Sequence, residues 1–88
     1  MIEREGTIVN SLGMHARPAA QVVRLASGFK SAIELEHDGQ VVNGKSIMGV
    51  MTLAAECGAV IRVRADGDDA EAAVTALTDL IAKGFGEK

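Results

Sequence analysis

Gly13-Met14-His15-Ala16-Arg17-Pro18-Ala19 marks the entrance to a helix and gathers the most reactive groups of the chain into seven residues. From Pro18 onward, Ala19, Val22, Val23 and Ala26 fall at i, i+3, i+4 and i+7, the apolar stripe of an amphipathic helix, and Gly28 offers its C-terminal cap. Two starts fit the proline. Proline favours the first helical position, which would make Arg17 the cap, whereas a cap at His15 places Pro18 third, where its missing N–H is again no loss.

Within this stretch, His15 is a nucleophile whose imidazole is substantially neutral near physiological pH. Arg17, two residues on, supplies a permanent cation for an anionic group. The first amides of the helix have no internal acceptor, and with the positive end of the helix dipole they form an anion site. Nucleophile, cation and amide donors together describe phosphoryl transfer through a phosphohistidine. The same residues also fit a histidine that only caps a helix, and from spacing alone both readings stay open.

Working outward, Ile2 to Val9 reads as a first strand, with Glu3, Glu5 and Thr7 on one face and Ile2 and Ile8 on the other. After the helix, Ile33, Leu35 and His37 alternate with Ala32, Glu34 and Glu36, and Asp38-Gly39 signals a tight hairpin into Val41-Val42. His37 is then a solvated histidine near a hairpin tip. Ser46 is the N-cap of a short helix running through Ala54 or Ala55 to Gly58. Its stripe is Ile47, Val50, Met51 and Ala54, with Met48 and Leu53 lying off it. The surplus reads either as filler for a core poor in aromatics or as an exposed, adaptable docking patch.

Val60 to Ala65 is the clearest strand, with Ile61 and Val63 facing one way and Arg62 and Arg64 the other. Asp68 and Glu71 match an acidic capping box for a last helix with the stripe Ala70, Ala73, Val74, Leu77, Leu80 and Ile81, closed by Lys83 and Gly84. The tail Phe85-Gly86-Glu87-Lys88 is expected to be loosely held. The order is βαββαβα, an α+β two-layer sandwich of mainly antiparallel sheet with one face toward water. Strand order stays open.

Residues 1–88 are expected to form one domain: 48% hydrophobic and 24% charged residues suit a modest aliphatic core. With two phenylalanines, no tryptophan or tyrosine and a net charge of -3, the chain lacks both the stacking platforms and the basic surface of a nucleic-acid binder. No apolar run approaches the ~20 residues that span a bilayer, and the amino terminus lacks a basic start with an apolar run behind it. Cys57 has no partner for an intrachain disulfide and reads as a small packing residue, so a cytoplasmic location is expected. One cysteine and two histidines hardly supply a metal site, and no cofactor is expected.

Both Gly13-Met14-His15-Ala16-Arg17-Pro18-Ala19 and Asn43-Gly44-Lys45-Ser46-Ile47-Met48-Gly49-Val50-Met51 resemble the HPr family, the histidine-containing phosphocarriers of the bacterial phosphoenolpyruvate-dependent sugar phosphotransferase system. The resemblance covers essentially the whole chain, departing mildly at Met14, where leucine is frequent. It implies a four-stranded antiparallel sheet, open on one side and covered by three helices on the other. It also implies that His15 accepts phosphate on Nδ1 from phosphorylated enzyme I and passes it to IIA components of sugar permeases. Arg17 would neutralise the phosphate, the amides of Ala16 and Arg17 would donate to it, and Ser46 would be phosphorylated by HPr kinase/phosphorylase. Ile47, Met48 and Met51 would dock enzyme I. Such a protein is a carrier, expected as a monomer, rather than a stand-alone catalyst. The alternatives are a nitrogen-type relay protein, which shares the histidine but fits the Lys-Ser-Ile-Met-Gly stretch less well, and a regulatory binding module, in which the histidine is replaced.

Overall fold

Strands alternate and helices stripe so that one apolar face of a sheet can be covered, and the computed structural model, described here for residues 1–87, realises that arrangement. The elements are β1 (Ile2–Thr7), α1 (Ala16–Ser27), β2 (Ala32–His37), β3 (Gln40–Asn43), α2 (Ile47–Thr52), β4 (Val60–Asp66) and α3 (Ala70–Ala82), followed by a 3-10 turn, Gly84–Gly86. The four strands form one antiparallel sheet in the order β1-β4-β2-β3. The strand order left open by the sequence thus places β4, the most regularly alternating strand, between β1 and β2.

On the covered face, Ile33, Leu35, Ile61, Val63 and Ala65 are buried against Ala19, Val22 and Ala26 of α1 and Ala73, Val74, Leu77 and Ile81 of α3. Small residues on both helices permit close approach. At Gly6 of β1 an added Cβ would lie 3.2 Å from Cγ2 of Ile81, so α3 sits on β1 with little room to spare. On the open face the register sets Glu3 and Glu34 beside Arg64, and Glu5 and Glu36 beside Arg62. Arg64 contacts Glu3 at 2.6 Å and also pairs with Glu36, while Arg62 reaches Glu5 at 3.2 Å. These pairs let a charged sheet face meet water without like charges opposing one another.

The Asp38-Gly39 hairpin forms as expected, with φ of +53° and +83° at its two central residues. His37 is half-buried at its edge, with Nδ1 3.5 Å from the Val60 carbonyl. The second helix departs from its expected length. Ser46 caps it by accepting from the Gly49 amide at 3.1 Å, but it stops at Thr52, and Ala54 takes a φ of +49°. Unwinding there lets the Ala55 carbonyl accept the Met14 amide at 2.8 Å. Its buried side also differs from the expected stripe: Val50 and Leu53 face the core, while Ile47, Met51 and Ala54 are exposed. Met48, 71% exposed, is therefore surface and not core filler. Cys57 is likewise exposed, on the turn in which Ala59 donates to Glu56, rather than packed.

Asp69, not Asp68, stands at the cap position of α3, and its side chain makes no capping bond. Its carboxylate instead accepts from the amides of Lys30 and Ser31 and from the Ser31 hydroxyl, stapling the turn before β2 to the start of α3. The two turns are in close contact here: Gly67 lies so near Ser31 that a Cβ would stand 2.6 Å from its Oγ. The tail is also held, contrary to the expectation of looseness. Phe85 is buried and its carbonyl accepts from Nε2 of Gln21, although Lys88 lies outside the described residues.

Two measurements check these local arguments. The Ser31 hydroxyl, then the Lys30 amide, hold the Asp69 carboxyl below its ordinary range against a smaller opposing effect of desolvation. A carboxyl whose folded pKa is depressed stabilises above its unfolded pKa and loses that contribution as pH falls through the folded value. Asp69→Asn should therefore lower Tm at neutral pH, and the gap from the parent should narrow as the solution is taken to about pH 3. Gly13 has φ +69°, and an added Cβ would lie 2.4 Å from the Ala55 carbonyl oxygen. Gly13→Ala should cost about 2 kcal/mol or more in urea unfolding, combining left-handed strain with that clash.

Candidate functional site

The turn after β1 delivers His15 to the start of α1. His15 has extended backbone angles, its amide donates to the Gly13 carbonyl at 3.0 Å, and its own carbonyl accepts the Ala19 amide at 3.0 Å. His15 is therefore the cap residue, and Pro18 takes the third helical position, which decides between the two starts compatible with the sequence. The ring makes no capping hydrogen bond, so a merely structural capping histidine does not fit.

The imidazole turns instead toward the tail. Nε2 lies 2.8 Å from Oε2 and 3.0 Å from Oε1 of Glu87, with the histidine side chain 35% exposed and the glutamate 15%. Hydrogen bonding from His15, with a further bond from Asn10 and the nearby charge of Arg17, holds the Glu87 carboxyl below its ordinary range despite desolvation. An ionised carboxylate only accepts hydrogen bonds, so Nε2 carries the proton and the lone pair of the neutral ring lies on Nδ1. Among the described residues Nδ1 makes no hydrogen bond.

The groups singled out by the sequence share the same end of α1. Ala16 and Arg17 occupy the first two helical positions, where their amides have no acceptor within the helix, and both residues are exposed. The Arg17 guanidinium makes no ion pair or hydrogen bond among the described residues, in contrast to Arg62 and Arg64 on the open sheet face. Such a group is available for an incoming anion. Beside α1 packs α2, which carries half-buried Ser46 at its cap and the exposed Ile47, Met48 and Met51. His37 belongs to the β2–β3 hairpin and takes no part. Among the described residues no cluster of three or more His, Cys, Asp or Glu is placed to hold a metal ion.

Glu87 and Asn10 are absent from the site expected on sequence grounds, and each left a signal. Phe85 sits between two glycines, and a large apolar side chain in a polar tail has the core as its natural destination, which carries Glu87 back to α1. Asn10 continues the inward alternation of Ile2 and Ile8, and a polar residue at an inward position demands a partner.

Comparison with known proteins agrees with this fold. The family model for the PTS HPr component phosphorylation site matches residues 2–83. The phosphocarrier protein HPr of Xylella fastidiosa is 51% identical over 87 residues, 99% of this chain and 98% of its own. That of Cupriavidus necator is 46% identical over the same shares. A crystal structure of HPr-C-His from Thermoanaerobacter tengcongensis has a TM-score of 0.95 and 50% identity, covering 100% of this chain and 99% of its own. With the fold, the histidine turn and whole-length relatives in agreement, the chain belongs to the HPr family of phosphotransferase-system phosphocarriers.

Proposed function

We propose that the protein carries a phosphoryl group on Nδ1 of His15, taking it from phosphorylated enzyme I and passing it to IIA components of sugar permeases in the cytoplasm. The observation that supports the reading is the hydrogen bond from Nε2 to Glu87, which leaves the lone pair on Nδ1 of a ring that caps the helix carrying Arg17 and the open amides. In acceptance the Nδ1 pair forms the N–P bond as the donor's bond to phosphorus breaks, and the ring becomes cationic. Glu87 offsets that charge at Nε2, and Arg17 with the amides of Ala16 and Arg17 meets the phosphoryl oxygens. In donation the N–P bond breaks, its electron pair returns to Nδ1, and the ring leaves neutral with its Nε2 proton still in place. No proton need enter or leave the ring in either direction.

His15, Arg17 and Glu87 all come from one chain, so a single copy holds the whole acceptor site. Ile47, Met48 and Met51 supply an apolar docking patch on the helix beside it, suited to enzyme I. Ser46, phosphorylated by HPr kinase/phosphorylase, regulates that patch: a phosphoserine adds roughly -1.5 to -2 charges next to it at neutral pH.

His15→Ala should abolish acid-labile phosphorylation by phosphoenolpyruvate and enzyme I while leaving the circular-dichroism spectrum native, since the half-exposed ring is not part of the core. Undiminished labelling of the variant would defeat the proposal. Ser46→Asp keeps an oxygen over the Gly49 amide and adds charge. It should hold the parent Tm within a few degrees and slow phosphorylation of His15 by about tenfold or more at low ionic strength, with the loss easing as salt rises. Equal rates at low salt would leave Ser46 with the capping role alone.

A further inference from the structure

Among the described residues three polar side chains are buried, and two are explained by local structure. Ser31 serves the Asp69 staple, and Thr78 returns its hydroxyl proton to the Val74 carbonyl at 2.8 Å. Asn10, 2% exposed, is different. Its Nδ2 donates to the Gly13 carbonyl at 2.8 Å and to Oε1 of Glu87 at 3.0 Å, while its Oδ1 has no hydrogen-bond partner among the described residues. The orientation of the amide is dictated by those neighbours, since a reversed amide would point an oxygen at two acceptors. Burying an acceptor without a partner is destabilising, so the reason for an asparagine here lies in its two donations.

The two donations converge on one residue. The Gly13 carbonyl that Asn10 engages also accepts the His15 amide, and the Glu87 carboxylate that Asn10 engages also accepts Nε2 of the His15 ring. Backbone and ring of His15 are thereby referred to a single buried amide. We propose that Asn10 is a positioning residue of the phosphoacceptor site, holding the Gly13 turn and the Glu87 carboxylate in one frame so that His15 keeps its proton on Nε2 and presents Nδ1. The assignment rests on His15 being the phosphoacceptor, while Asn10 itself touches neither the nucleophilic atom nor the phosphoryl group. Its donation also helps to keep Glu87 ionised.

The test combines Asn10→Ala, Asn10→Asp and Glu87→Ala with the Asn10→Ala, Glu87→Ala double variant. Carbon-13 NMR follows the Glu87 carboxyl titration, nitrogen-15 NMR the His15 ring, and phosphoenolpyruvate with enzyme I the rate of acceptance. In Asn10→Ala the Glu87 titration should move up toward the ordinary carboxylate range, and acceptance should slow by about tenfold. Asn10→Asp, which sets an acceptor against Glu87, should be slower still and should weaken the Nε2–H signature of the ring. In the Glu87→Ala background, Asn10→Ala should add less than about a twofold loss, because the group it positions is gone. Equal losses in both backgrounds, or an unmoved Glu87 titration in folded Asn10→Ala, would overturn the proposal. Failure of the parent protein to accept phosphate would defeat the carrier reading instead, and the Glu87 titration would still decide whether Asn10 holds the carboxylate.

Discussion

The covered face of the sheet must exclude water with aliphatic side chains almost alone, and the rest of the structure follows from how that is done. Ile33, Leu35, Ile61 and Val63 offer a regular but shallow surface, so the helices above it approach closely through alanines. With no tryptophan or tyrosine to fill the remaining space, Phe85 turns inward and completes the layer. Its burial requires a reversal of the chain at Gly84–Gly86, with a φ of +59° at Phe85 itself. That reversal sets Glu87 against His15. Packing at one end of the core thus sets the hydrogen-bond partner of the His15 ring.

Elements defined by period were legible in the sequence because alternation and helical stripes record which side faces the core. The strands, α1, α3 and the Asp38-Gly39 hairpin fall into that class, and the whole-chain resemblance named the family. Features set by contacts between distant segments were not. The length of α2 depends on the Ala55 carbonyl reaching the Met14 amide, and the role of Asp69 depends on the Ser31 turn standing within reach. Neither dependence is written in the local pattern. For the site, His15, Arg17 and Ser46 lie in short recognisable strings, whereas Asn10 and Glu87 belong to segments whose meeting only tertiary packing brings about.

Charge is divided between two surfaces by the same economy of geometry. On the open face, arginines stand in register with glutamates and bridge more than one carboxylate. At the helix entrance Arg17 has no such partner among the described residues, and the Glu87 carboxylate that feels its charge is engaged with the ring of His15. One residue type is therefore tied into surface ion pairs in one place and left available to an anion in another, and the difference lies in what the backbone sets beside it.

His15 and Glu87 are 72 positions apart, and Asn10 and Glu87 are 77. Contacts of that span close a loop containing nearly all of the molecule, and the entropy of closing it must be met before the contact exists. α1 with its cap supplies the histidine, the arginine and the open amides, yet not the acceptor that selects the tautomer. A partly assembled chain with native helices would still present an unprepared ring. The hydrogen bond at Nε2 of His15 is thus a report on closure of nearly the whole fold, a stricter gauge of nativeness than its helix content.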